Sequence, residues 1–107
     1  QEWEALQFAA DELLDEPSFA TEARWHHRIL KVRLLSGRWT YCVYTEEQAS
    51  LLSTEWVIAN CRRRLGMRKR GTEKLIQGDK VLDANQKVIH FPGLQPLGQV
   101  SEYELIA

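Results

Sequence analysis

Residues Arg28 to Leu65, RILKVRLLSGRWTYCVYTEEQASLLSTEWVIANCRRRL, constrain the fold more than any other stretch, because hydrophobic spacing changes within them from that of a strand to that of a helix. Arg28 to Leu35 and Trp39 to Thr45 are rich in β-branched, aromatic and apolar residues. Between them Ser36-Gly37-Arg38 supplies a glycine able to take a positive backbone dihedral, so the pair reads as a β-hairpin. A few residues later Leu51, Leu52, Trp56, Ala59 and Leu65 recur at helical spacing, with Val57, Ile58 and Cys61 widening the stripe. Thr45 is placed to cap that helix, and Glu46 and Glu47 suit its first turn.

With 107 residues, 44% of them hydrophobic, the chain can build one domain around a single modest core. The formal net charge of −1 conceals a division along the chain. Residues 1–23 hold seven acidic side chains and no Lys or Arg, leaving eight acidic against fourteen basic residues in the remainder. The body is basic and its N-terminal arm acidic. The chain begins at Gln1 rather than Met, so a piece of a larger protein is expected. No apolar run approaches the roughly 18 to 20 residues that span a bilayer as a helix, and nothing resembles a secretory signal.

Gln1 to Glu16 reads as an acidic amphipathic helix, with Trp3, Leu6, Ala10, Leu13 and Leu14 at three- and four-residue spacing and Pro17 ending it. Its stripe is expected to pack on its own domain, with a partner's groove or a second copy as the alternatives. Residues 18–27 read as a linker, and 28–107 as the folded domain.

Alternation in the hairpin sends Leu30, Val32 and Leu34 to one face, and divides the second strand into Trp39, Tyr41, Val43 and Thr40, Cys42, Tyr44. Both of the latter sets are substantially apolar, so the face turned from the core needs a cover, for which the N-terminal helix is a candidate, or a partner. Cys42 and Cys61 lack the spacing of a metal site and read as buried thiols of an intracellular protein, cytoplasmic rather than nuclear, with a disulfide as the alternative. His26, His27 and His90 form no catalytic set with them, and no nucleophile, phosphate-loop or metalloprotease motif is present. The chain therefore reads as noncatalytic, with no cofactor and no metal.

Six of the nine residues 62–70 are basic: Arg62, Arg63, Arg64, Arg68, Lys69 and Arg70. That exceeds what capping the helix at Gly66 requires. The run reads as a solvated basic loop or as a site for an acidic protein surface, with nucleic acid or an anionic membrane as further alternatives, although it carries no interleaved aromatic side chain.

Beyond it come a short strand at Lys74-Leu75-Ile76, a turn at Gln77-Gly78-Asp79 and a second short strand near Lys80-Val81-Leu82. A packed irregular loop follows from Val88 to Leu97, and a half-exposed last strand runs from Val100 to Ile106. This order, with LIQGDKVLDANQKVIHFPGL as its most specific part, resembles the β-grasp fold of ubiquitin-like domains from about Arg28 to Ile106. The resemblance implies an α+β domain whose mixed sheet wraps one main helix and pairs its first and last strands in parallel, here with an extra N-terminal helix. It implies that Leu30, Val32, Leu75, Leu82, Leu94, Tyr103 and Leu105 are core. By the same resemblance Leu35, Ile76 and Ile106 stand where ubiquitin has its exposed recognition patch, making the chain an adaptor or regulatory docking module for a protein partner. A terminal Gly-Gly is missing, and the more aromatic second strand and more basic helix are similar to the Ras-association branch, which meets an acidic GTPase edge by strand addition. Arg33, Arg38 and Arg62 to Arg64 would serve that role.

Overall fold

The computed structural model describes residues 25–68 and 71–106. The N-terminal helix of residues 1–17, most of the linker, and the candidate binding residues Lys69 and Arg70 lie outside the described residues.

β1 (His27–Leu34) and β2 (Trp39–Thr45) form the expected antiparallel hairpin, turning through Gly37 at φ 91°. β1 opens one residue before the expected boundary. Two helices follow, α1 (Glu46–Leu51) and α2 (Thr54–Leu65). β3 (Lys74–Gln77) and β4 (Lys80–Val81) make a second, small hairpin. The loop after it contains one 3-10 turn, Val88–His90, and leads to β5 (Val100–Ile106). The sheet order is β2-β1-β5-β3-β4, with β1 and β5 parallel at its centre, as the resemblance implied.

Alternation along the strands determines the core. Leu30 and Val32 of β1, Cys42 and Tyr44 of β2, Leu75 of β3, and Tyr103 and Leu105 of β5 point to one face and are buried against Val57, Ile58 and Cys61 of α2. Leu82, Val88 and Phe91 close the open end, while Leu94 packs against this cluster only partly buried.

The single helix expected across residues 45–65 is two. Thr45 caps α1 as anticipated: its hydroxyl accepts from Gln48 N at 3.1 Å while Gln48 Oε1 accepts from Thr45 N at 2.8 Å. The chain then becomes extended at Leu52 and Ser53, where backbone groups pair with another segment instead of continuing the helix. Val88 N donates to Leu52 O at 3.0 Å, and Thr54 N donates to Gln86 O at 3.0 Å. This interruption resets the helical phase. Leu51 is consequently exposed and Ala59 faces outward, and the buried residues of α2 are Thr54, Val57, Ile58, Asn60, Cys61 and Leu65. α2 ends at Gly66 in the left-handed conformation, φ 65°.

Candidate interaction surfaces

Three adjoining surfaces collect most of the described residues singled out from the sequence, Arg62 lying on none of them. The first is the β2 edge of the sheet. Leu34 N donates to Arg38 O at 2.7 Å, which sets the hydrogen-bonded phase of the hairpin. In the antiparallel register that follows, Trp39, Tyr41 and Val43 turn their backbone N–H and C=O groups away from β1. Among the described residues no strand pairs with that side.

Arginines of the helix end stand along this edge. Arg64 Nε donates to Thr40 Oγ1 at 2.8 Å, and the Thr40 hydroxyl donates in turn to Tyr41 O at 3.2 Å. Arg38 Nη2 donates to Leu65 O at 2.6 Å, satisfying a terminal carbonyl of α2. Arg63 Nη2 donates to Asn60 Oδ1 at 2.7 Å, and Asn60 Nδ2 donates to the Tyr44 hydroxyl at 2.9 Å. Burial pushes the Tyr44 phenol well above its ordinary pKa, so it stays neutral in this network.

The second surface is the sheet face turned away from α2. Its β1–β2 part is apolar: Ile29 and Val43 are buried there, with Tyr41 and Val100 packed against them. Trp39, 48% exposed, meets Tyr41 edge to face at 5.0 Å, and the Lys31 ammonium lies 4.8 Å from the Trp39 ring centroid. Towards β5 and β3 the face becomes charged. A shallow groove there is lined by Lys31, Arg33, Ile76, Glu102 and Glu104, and Arg33 stands 3.7 Å from Glu102.

The third surface is at the end of the sheet nearest the β1–β2 turn. Leu35, 87% exposed, shares a groove with Ser36, Met67, Arg68 and Ile106. Leu35 and Ile106 are therefore brought together. Ile76 lines the other groove, although the pairings Lys74 with Ile106 and Ile76 with Glu104 put it diagonal to Ile106 across β3 and β5. Glu104, directly opposite Ile76, interrupts the apolar surface between the two grooves.

The basic residues are similarly divided. Arg38, Arg63 and Arg64 line the β2 side of α2, while Arg62 turns to Glu73 at 3.7 Å on the other side. Arg33 lies on the sheet face and Arg68 beside Leu35. The sequence reading passed over Met67 in the Leu35 groove and the stacking of Lys31 on Trp39. The second was accessible from the hairpin register, because Arg33 pairs with Trp39 and Lys31 with Tyr41, which makes Lys31 and Trp39 diagonal neighbours on one face.

Away from these surfaces, Arg28 fastens the start of β1 to its surroundings. Its Nε donates to Glu46 Oε1 at 2.6 Å and its Nη1 to Gln95 O at 2.7 Å. The hydrogen bond from Arg28, opposed in part by desolvation and reinforced by its charge, holds the Glu46 carboxyl below the usual glutamate range. Among the described residues no three His, Cys, Asp or Glu side chains are grouped to hold a metal ion, and no helix is long and apolar enough to cross a membrane.

No family model and no curated protein matches the chain. Solved structures do. One, described as molecular mimicry of SUMO promoting DNA repair, superposes with a TM-score of 0.61 at 11% identity, covering 77% of this chain and 92% of the other. Another, a computationally designed protein based on the template of human erythrocytic ubiquitin, gives a TM-score of 0.52 at 20% identity, covering 75% and 92%. Identities this low carry the architecture alone.

Proposed function

We propose that this chain, which has the ubiquitin-like β-grasp fold, is a noncatalytic protein-interaction module that takes up an extended acidic segment of a partner along the open edge of β2. The observation carrying this reading is the row of outward backbone groups at Trp39, Tyr41 and Val43, with Arg38 and Arg64 beside it. An added strand gains main-chain hydrogen bonds from that row, and its acidic side chains meet the guanidinium groups. Trp39 supplies an exposed aromatic anchor at the same edge.

A second reading places the partner on Leu35, Ile106 and Ile76. Its support is the exposure of Leu35 beside Ile106 and Met67, an apolar projection with no role in the core.

The two separate in one experiment. Partners captured from lysate by this chain are compared with those captured by Tyr41→Pro, by Arg38→Glu with Arg64→Glu, and by the triple variant Leu35→Ala, Ile76→Ala, Ile106→Ala. Each variant is first checked for folding by circular dichroism. Tyr41→Pro removes an outward N–H without touching the ladder to β1. Loss of partners in the first two variants is expected. Loss in the triple variant alone would transfer the site to the Leu35 surface. Loss only on nuclease treatment, with steep salt dependence, would make Arg62 to Arg70 a nucleic-acid site instead.

A further inference from the structure

We infer that Cys42 and Cys61 are a latent disulfide, a two-electron redox site that can join β2 to α2 inside the core. Their sulfurs lie 3.6 Å apart, and both residues are completely buried. Closing to a disulfide needs the sulfurs to approach by only about 1.5 Å.

The surroundings hold the two backbones in place for that step. Thr40, Cys42 and Tyr44 are successive residues on the helix-facing side of β2, and each meets a residue of α2. Thr40 accepts from Arg64, Cys42 faces Cys61, and Tyr44 accepts from Asn60. The thiol pair is thus flanked on both sides by hydrogen bonds between the same two elements. At this separation the chemistry open to the pair is oxidation to a disulfide.

A small oxidant such as hydrogen peroxide supplies the electron balance. One thiolate attacks a peroxide oxygen and the O–O bond breaks, giving a sulfenic acid and, after proton transfer, one water. The second sulfur then attacks the sulfenic sulfur: the S–S bond forms, the S–O bond breaks, and the departing hydroxide takes the thiol proton as a second water. Two electrons pass from the sulfurs to peroxide. The hydrogen-bonded Cys42 thiol and burial hold the Cys61 thiol well above its usual pKa, so little thiolate is present at neutral pH. Both residues are also completely buried, which limits the access of oxidant, so the pair responds to sustained oxidant, not to brief exposure.

The test is incubation of the folded chain with hydrogen peroxide in native buffer, alkylation of remaining thiols after denaturation, and peptide mapping. The expected product is a Cys42–Cys61 linked peptide with both alkylation sites lost, reversed by dithiothreitol. The oxidised chain should melt about 10 °C higher than the reduced one, because the link shortens the unfolded chain's loop between strand and helix. Cys61→Ser should show no such rise. The mapping and melting of the unsubstituted chain decide the matter even if that variant fails to fold. Two alkylated cysteines after oxidation, arrest at sulfinic acid, or a link formed only in denaturant would each overturn the inference.

Discussion

The Asn60 side-chain amide donates to the Tyr44 hydroxyl at 2.9 Å, buried between α2 and β2, while its own carbonyl accepts from Arg63 at 2.7 Å. The Arg63 contact determines which way the amide points, because a guanidinium can only donate. Tyr44→Phe keeps the ring and deletes one partner of a buried amide. We expect a loss of about 1 to 2 kcal/mol in urea denaturation with an unchanged slope. A stability equal to that of the parent would show that the hydroxyl bond contributes nothing net.

Burial separates two leucines only five positions apart. Leu30 is fully buried in a central strand and Leu35 projects from the turn. Leu30→Ala should cost about 2 to 5 kcal/mol, and Leu35→Ala no more than about 0.5 kcal/mol. Equal costs by thermal or chemical denaturation would contradict the burial assigned to the two residues.

Gly98 has φ +82° and carries the Trp25 ring where a Cβ would stand. Its N–H also donates to His27 O at 2.9 Å, holding the approach to β5 against the start of β1. Gly98→Ala should destabilise by about 1 to 2 kcal/mol through backbone strain, plus displacement of Trp25. In a Trp25→Ala background the displacement disappears and the penalty should shrink. Strict additivity in that double-mutant cycle would remove the ring contact from the account.

Acid and alkali should act on different groups. The Glu46 carboxyl is held below its ordinary pKa by Arg28, so its contribution is present above the unfolded value, about 4.3, and is lost as pH falls through the lower folded value. Glu46→Gln should flatten the acid limb by at most about 1 kcal/mol, since the pair is partly exposed. Burial raises the phenols of Tyr44 and Tyr103, so their contribution is present below about pH 10 and is lost as pH rises towards their folded values. Tyrosinate absorbance from these two rings should therefore appear together with unfolding. Its appearance from both in the still-folded chain would disprove their burial.

For the β2 edge, Arg64→Glu should weaken a captured acidic partner by about tenfold, chiefly through slower association at low salt. Surface plasmon resonance separates that from a change confined to dissociation, which would instead point to loss of the Arg64–Thr40 contact inside the module.

The hairpin, the Gly66 cap, the Thr45 cap and the alternation that buries Tyr103 and Leu105 beneath Glu102 and Glu104 were legible because each depends on near neighbours in the chain. The break at Leu52–Ser53 was not. Local spacing favours continuing the helix through it, and only the backbone of Gln86 and Val88, more than thirty residues away, offers the hydrogen bonds that end it. The same holds for the arginine-rich run. Its composition is plain, yet which guanidinium lies beside β2, which turns to Glu73 and which joins Leu35 depends on the direction each helix position takes over the sheet.

The sequence by itself determined which segments become strands, where the first hairpin turns, where the second helix ends, and which alternate strand side chains can be buried, since these follow from propensity and periodicity within a few residues. The tertiary structure alone decided that β2 is an edge, that Leu35 and Ile106 meet while Glu104 stands between Ile106 and Ile76, and that two cysteines from different elements come within 3.6 Å. Those relations arise from packing a sheet against a helix, where residues remote in the chain share one surface and no local pattern records the meeting.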